Sequence, residues 1–172
     1  MPTTTVPLMT AFVRTGPIMP VDDIDRRMLA ALQENGRLTA TELADRVGLT
    51  VSPCLRRLRL LEAAGIIRGY TALLDQKKVG LPVSVFVSIK LERQSEEAMR
   101  AFEDAIRSWP EVLECYLMTG PRDYLLRVVA SDLADYERFV KERLTRVAGI
   151  ANIESSFALG QVKHTGALPL GR

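Results

Sequence analysis

The chain has one histidine, two cysteines and a net charge of only +2 over 172 residues. Each shortage removes a class of function. His164 stands alone near the C-terminal end with no cysteine or serine motif beside it. It therefore supplies neither a spaced set of metal ligands nor the base of a nucleophilic triad. Cys54 and Cys115 lack the spacing of a disulfide framework and sit among apolar neighbours, so both read as buried free thiols in a reducing compartment. No apolar run approaches the length that crosses a bilayer, and no glycine-rich phosphate loop is present. Glu96-Glu97 and Glu103-Asp104 read as solvated helix faces, not as a catalytic pair. Residues 1–20 are rich in threonine and proline and lack a basic stretch leading into an apolar core. This is expected to be no secretory signal but a flexible arm, or an extended start with Met19 as the more economical beginning. The expectation is a soluble, cytoplasmic protein with no cofactor, no metal and no membrane partner.

Charge is distributed more tellingly than its total suggests. Val21 to Gly80 carries 10 Lys and Arg against 8 Asp and Glu, whereas Leu81 to Arg172 carries 12 against 13. The basic excess gathers at Arg56, Arg57, Arg59 and Arg68. Asp22 or Asp23 caps a first helix running to Asn35, with Ile24, Met28, Ala31 and Leu32 on one apolar face. Thr39-Ala40-Thr41-Glu42 is a capping box for a second helix, flanked by Leu38 and Leu43. Gly48 breaks that helix. Thr50 then caps a third, with Pro53 in its first turn, where no intrahelical hydrogen bond is lost.

At 100° per residue, Val51, Cys54, Leu55, Leu58 and Leu61 gather on the inner side of this third helix. Ser52, Arg56 and Arg59 project outward and are candidates for base edges. Arg37, Thr50 and Arg57 are candidates for contacts to the DNA backbone, Arg57 equally for pairing with an acid inside the domain, and Pro53 completes the DNA-binding set. Two short helices joined at a glycine turn, with Ser and Arg facing out, form a helix-turn-helix suited to double-stranded DNA. Ile66 to Leu74 turns strand-like, as a wing or a connector, and Asp75 to Gly80 is a polar linker.

Val83, Val85, Val87, Ile89 and Leu91 alternate with Ser84, Phe86, Ser88, Lys90 and Glu92, the period of a strand with one buried face. A helix follows with Met99, Phe102 and Ile106 inward, then strands Val112 to Thr119 and Tyr124 to Ala130 around a Gly120-Pro121-Arg122-Asp123 turn. A second helix places Leu133, Tyr136, Val140, Leu144 and Val147 inward, and Ile150 to Leu159 is the last strand. The fold class is therefore α+β: a winged-helix-like helix-turn-helix domain followed by a ferredoxin-like βαββαβ sandwich. The boundaries expected are an arm over 1–20, the helix-turn-helix over 21–69, a hinge over 70–81 and the sandwich over 82–172. One sheet face lacks a cover, and Phe86, Tyr116 and Leu126 are assigned to it. A second copy of the chain is the simplest cover, which predicts a homodimer.

These motifs together resemble the Lrp/AsnC (feast/famine) family of transcriptional regulators. The resemblance runs from Val21 to the C-terminus. It is carried by Asp22 to Leu29, Gly36-Arg37-Leu38, Leu49 to Leu58, Leu61 to Ile67, Gly69 to Asp75 and Val112 to Leu126. Ser52-Pro53-Cys54-Leu55 and the Gly69 to Asp75 run are most similar to the leucine-responsive branch. Two departures stand out. Thr50 occupies a position where serine is usual, keeping the capping oxygen, and Arg56 one where such relatives often carry an acid, which points to a different operator preference.

The resemblance implies a nucleoid-associated regulator whose DNA binding or assembly responds to a small effector, an amino acid, and whose dimers assemble into octamers or other multiples. It implies an effector loop at Thr119-Gly120-Pro121-Arg122-Asp123-Tyr124. There Asp123 would accept the ammonium group and the N–H groups around Gly120 would hold the carboxylate, with Tyr116, Ser155 and Ser156 lining the remainder. Without the resemblance, Gly120 to Asp123 reads equally as a hairpin turn. Two other readings stay open on residues alone: an amino-acid-binding module whose first domain contacts a protein, and a small enzyme on the sandwich, for which no nucleophile or metal set is found.

Overall fold

In the computed structural model, which describes residues 20–170, the chain divides into two compact units. One reaches Ala72 and also contains the residues from Thr165 onward; the other is Leu73–His164. The expected arm over 1–20 lies almost wholly outside the described residues.

The first unit holds α1 (Asp23–Glu34), α2 (Ala40–Val47) and α3 (Val51–Ala63). Asp22 is the cap of α1, and its box closes reciprocally. The Asp25 N–H donates to Asp22 Oδ1 at 2.8 Å, and the Asp22 N–H donates to Asp25 Oδ2 at 3.3 Å. Thr39 and Glu42 close the same motif on α2. Gly48 ends α2 at φ 72° and ψ 39°, a left-handed conformation that an L side chain resists. Met28, Ala31, Leu43, Ala44, Val47 and Cys54 form the core, with Leu58 packed against it.

The third helix corrects three expectations. Thr50 occupies the cap position, but its side chain makes no capping hydrogen bond. Val51 is 39% exposed, and the helix meets the core through Cys54 and Leu58 instead. Leu55 is only half-buried. After α3, Ile66 to Leu74 pairs with no strand among the described residues and runs on as an extended connector. The segment from Thr165 packs with the first unit, where the Gln33 side chain exchanges two hydrogen bonds with the Leu168 backbone.

The second unit runs β1 (Val83–Leu91), α4 (Glu96–Arg107), β2 (Val112–Leu117), β3 (Tyr124–Ala130), α5 (Leu133–Glu142) and β4 (Ile150–Phe157). The sheet order is β2-β3-β1-β4, antiparallel throughout, as a βαββαβ sandwich requires. Val85, Val87 and Ile89 are fully buried beneath Phe102 and Ile106 of α4 and Tyr136 and Phe139 of α5. Both helices therefore cover one face, and no element of this unit covers the other among the described residues.

Register decides which side chains meet on each face. Leu126 lies opposite Val87 and Cys115 and is fully buried, so it faces the helices and not the open side to which it was assigned. Phe86 does lie on the open face, opposite Arg127 and Ser156. Leu133 was expected inward but is 65% exposed at the first residue of α5; Phe139, edge-on to Trp109, fills the core instead. Cys54 is buried as expected, whereas Cys115 is exposed on the edge strand β2. The linker residues Asp75 to Gly80 are held, not loose. Gln76 Nε2 donates to Leu81 O at 2.5 Å and to Ser84 Oγ at 2.9 Å, and Gln76 Oε1 accepts from Arg127 Nη2 at 3.3 Å.

Candidate functional site: the outward face of α3 and the open sheet face

Three arginines stand on α3 within one turn of each other, and their surroundings differ. Arg57 Nη1 donates to Asp22 Oδ2 at 2.7 Å and to Asp25 Oδ1 at 2.9 Å. This bridge ties α3 to the first turn of α1, where acidic groups already suit the helix dipole. The N–H of Asp25 and the Arg57 guanidinium hold the Asp22 carboxyl below its usual range, against a small opposing effect of burial. The two carboxylates in turn raise the Arg57 guanidinium. Arg57 is thus the internal partner of an acid, the second of the roles open to it. The Asp22-x-x-Asp25 spacing is that of a capping box and was legible; its cross-link to α3 was not.

Arg56 and Arg59 have no carboxylate within salt-bridge distance among the described residues. With Ser52 they line a shallow depression of about 460 Å³ whose other walls are Leu55, Leu60 and Ala63. Arg37 and Thr50 are exposed, at the turns entering α2 and α3, and Pro53 is half-buried in the first turn of α3. Helical period assigns Leu55 to the inner side and says nothing of Leu60, yet both line this depression, because packing decides which way a side chain at the edge of the stripe leans.

On the second unit, Asp123 is 5% exposed and already has its donors. Its Oδ1 accepts from Lys90 Nζ at 3.1 Å and Gln94 Nε2 at 2.6 Å, and its Oδ2 accepts from the Leu91 N–H at 2.7 Å. Burial works to raise this carboxyl, but the Leu91 N–H, Lys90 and Gln94 outweigh it and hold the group below its ordinary value. Asp123 thereby anchors the β2–β3 turn to the end of β1. This corrects its assignment as the acceptor for an ammonium group, since internal donors occupy both oxygens. Tyr124 is likewise structural. It is 1% exposed, its ring lies 4.6 Å from that of Phe102, and its hydroxyl donates to Glu103 at 2.9 Å. Burial and the Glu103 carboxylate push its hydroxyl well above the usual phenol range.

The remaining loop residues are exposed. Gly120 takes φ 106°, a value that explains glycine there without a ligand. Arg122 Nη1 donates to Ser88 Oγ at 2.8 Å, which lays the arginine along the open sheet face. Tyr116 stands on the same face and donates to Glu114, which also accepts from Arg127 at 3.0 Å. The two serines separate. Ser155 lies opposite Val87 and meets the Tyr136 hydroxyl at 2.5 Å on the helix side, whereas Ser156 lies opposite Phe86 on the open side. One protomer therefore does not line a single pocket with both.

Residues 84–168 match the family model described as the Lrp/AsnC ligand binding domain, and residues 21–68 match one described as winged helix-turn-helix DNA-binding. A Bkd operon transcriptional regulator of Pseudomonas aeruginosa is 45% identical over 150 residues, 87% of this chain and 98% of the relative. The chain belongs to the Lrp/AsnC family. It is a DNA-binding transcriptional regulator with a ligand-binding domain, not an enzyme. A leucine-responsive regulatory protein of Rhizobium meliloti is 42% identical, covering 83% of this regulator and 92% of the relative. Among solved structures, a Neisseria meningitidis transcriptional regulator in complex with L-Met superposes with a TM-score of 0.83 at 44% identity, covering 88% of this chain and 97% of that one. No helix of the described residues is long and apolar enough to cross a membrane.

Proposed function

We propose that this regulator contacts duplex DNA through Ser52, Arg56 and Arg59 and changes its affinity when an amino acid binds the sandwich unit. One observation carries the DNA half. Arg56 and Arg59 project from α3 without a counter-charge, while their neighbour Arg57 is neutralised internally. Unpaired guanidinium groups on an outward helix suit phosphates and guanine edges. Arg37 and Thr50 flank the backbone, and Arg57 with Pro53 sets the attitude of the helix.

The amino-acid half draws on the L-Met complex of the Neisseria relative. Thr119, Gly120, Arg122, Tyr116 and Ser156 are the candidate contacts; Asp123 and Tyr124 position the loop, and Ser155 supports it from the helix side. The open sheet face, with Phe86 at its centre, is covered by a second copy, and dimers join into octamers or another multiple. The protein acts in the cytoplasm, on the nucleoid. Anisotropy titration of a labelled duplex between 50 and 200 mM salt tests the DNA half. Counterion release demands a steep fall in affinity, and a flat profile would overturn it. Thermal stabilisation screened across the twenty amino acids, with mass measurement of the complex, tests the other half; no stabilisation by any of them rejects it.

A further inference from the structure

We infer that α3 reads base sequence through an apolar contact as well as through charge, Leu55 meeting a thymine methyl group beside a guanine addressed by Arg56. This deepens the proposal that α3 is the DNA-contacting helix and rests on it. Leu55, Leu60 and Ala63 share one depression with Ser52, Arg56 and Arg59, and Leu60 is half exposed there. Apolar side chains set among two unpaired arginines suit an occupant that is both anionic and locally apolar. The major groove offers both: phosphates and guanine acceptors for the arginines, and the thymine C5-methyl as its apolar group. Leu55 and Arg56 line the same depression and differ in rise by about 1.5 Å against about 3.4 Å per base pair, so both can address the same or adjacent base steps. Recognition helices reach base edges chiefly through their N-terminal residues, which favours Leu55 over Leu60 as the reader. An acidic amphipathic protein helix is the competing occupant, and the experiment separates it.

The full chain is used to select a site from a random duplex pool, and affinities for the selected duplex are measured by anisotropy at fixed salt. Each dT is then replaced by deoxyuridine, which removes only the methyl group, and each dG by 7-deazaguanine, which removes N7. One dT replacement should weaken binding about fourfold, the value of one buried methyl group. That loss should vanish in Leu55→Ala and persist in Leu55→Met. A neighbouring 7-deazaguanine should weaken binding about tenfold in the unaltered chain and not in Arg56→Ala. The deoxyuridine arm needs no protein variant, so misfolding cannot obscure it. If no single deoxyuridine matters, or its effect is unchanged in Leu55→Ala, the inference is wrong. Salt-dependent binding without sequence enrichment also overturns it while leaving the DNA contact standing. Binding that ignores salt removes the DNA contact itself and points to the protein occupant.

Discussion

Asp123→Ala separates two incompatible roles for one carboxylate. If Asp123 receives an effector's ammonium group, its loss abolishes the response to ligand and leaves the sandwich as stable as before. The structure assigns it a different duty, since three internal donors converge on it. Lys90 and Gln94 can swing into solvent when the carboxylate is removed. The Leu91 N–H cannot, because Leu91 is 3% exposed. One orphaned buried donor costs about 1–3 kcal/mol. With a urea dependence of about 1 kcal/mol per molar, that amounts to a fall of about 1–3 M in the unfolding midpoint. Trp109 is the only tryptophan and packs against Phe139 in the sandwich core, so its fluorescence follows this unit.

Asp123→Asn should cost less than Asp123→Ala, because its amide oxygen can keep the Leu91 N–H while its NH₂ faces Lys90 and Gln94, which can turn away. The pH dependence has a definite sign. The folded carboxyl is held below its ordinary value, so its contribution is complete above the unfolded pKa and is lost as pH falls through the lower, folded one. Glu114, Asp135 and Glu137 are lowered in the same unit. The acid limb of the Trp109 transition should therefore become shallower in the variant without disappearing. A variant with an unaltered midpoint and no response to ligand would refute the anchoring role.

Gly48→Ala probes the helix-turn-helix turn. Nothing lies within 4 Å of an added Cβ, so the cost is conformational alone, about 1–2 kcal/mol, with Gly48→Asn costing less. Circular dichroism during urea unfolding measures both, and equal effects would contradict this account. Arg56→Ala should leave the melting temperature unchanged and weaken DNA binding, whereas Arg57→Ala should lower the melting temperature and weaken binding to all sequences alike; scanning calorimetry beside gel shifts distinguishes them. Phe86→Asp places a charge on the open sheet face and should shift the chain toward monomer in light scattering, with an unaltered mass arguing that the dimer forms elsewhere.

Element order and the interiors of most elements were legible because their causes are local. Three of the caps, at Asp22, Thr39 and Gly48, depend on residues at most four apart, and the alternation over Val83 to Leu91 is a property of nine consecutive residues. Local pattern misleads where a side chain's neighbours come from far along the chain. Leu126 joined the wrong face because its parity is set by pairing with Val87, 39 residues earlier. Leu133 and Val51 share the period of buried residues but are the first residues of their helices and stay exposed, while Tyr136 and Cys54 three positions later are buried. Asp123 looked available because its three donors, Lys90, Leu91 and Gln94, lie about 30 positions away.

The amino-acid order by itself determined that this chain forms a three-helix unit with a glycine turn and an antiparallel sheet covered by two helices. Short-range capping and hydrophobic period suffice for both. Only the tertiary structure decided which charges remain available for work. Arg57 is neutralised by Asp22 and Asp25 while Arg56 and Arg59 are not, and Asp123 is buried with three internal donors while Arg122 stays exposed at the open face. A side chain's chemistry belongs to its residue type. Its availability depends on whether the fold brings a partner within hydrogen-bonding distance, and residues far apart in the chain settle that.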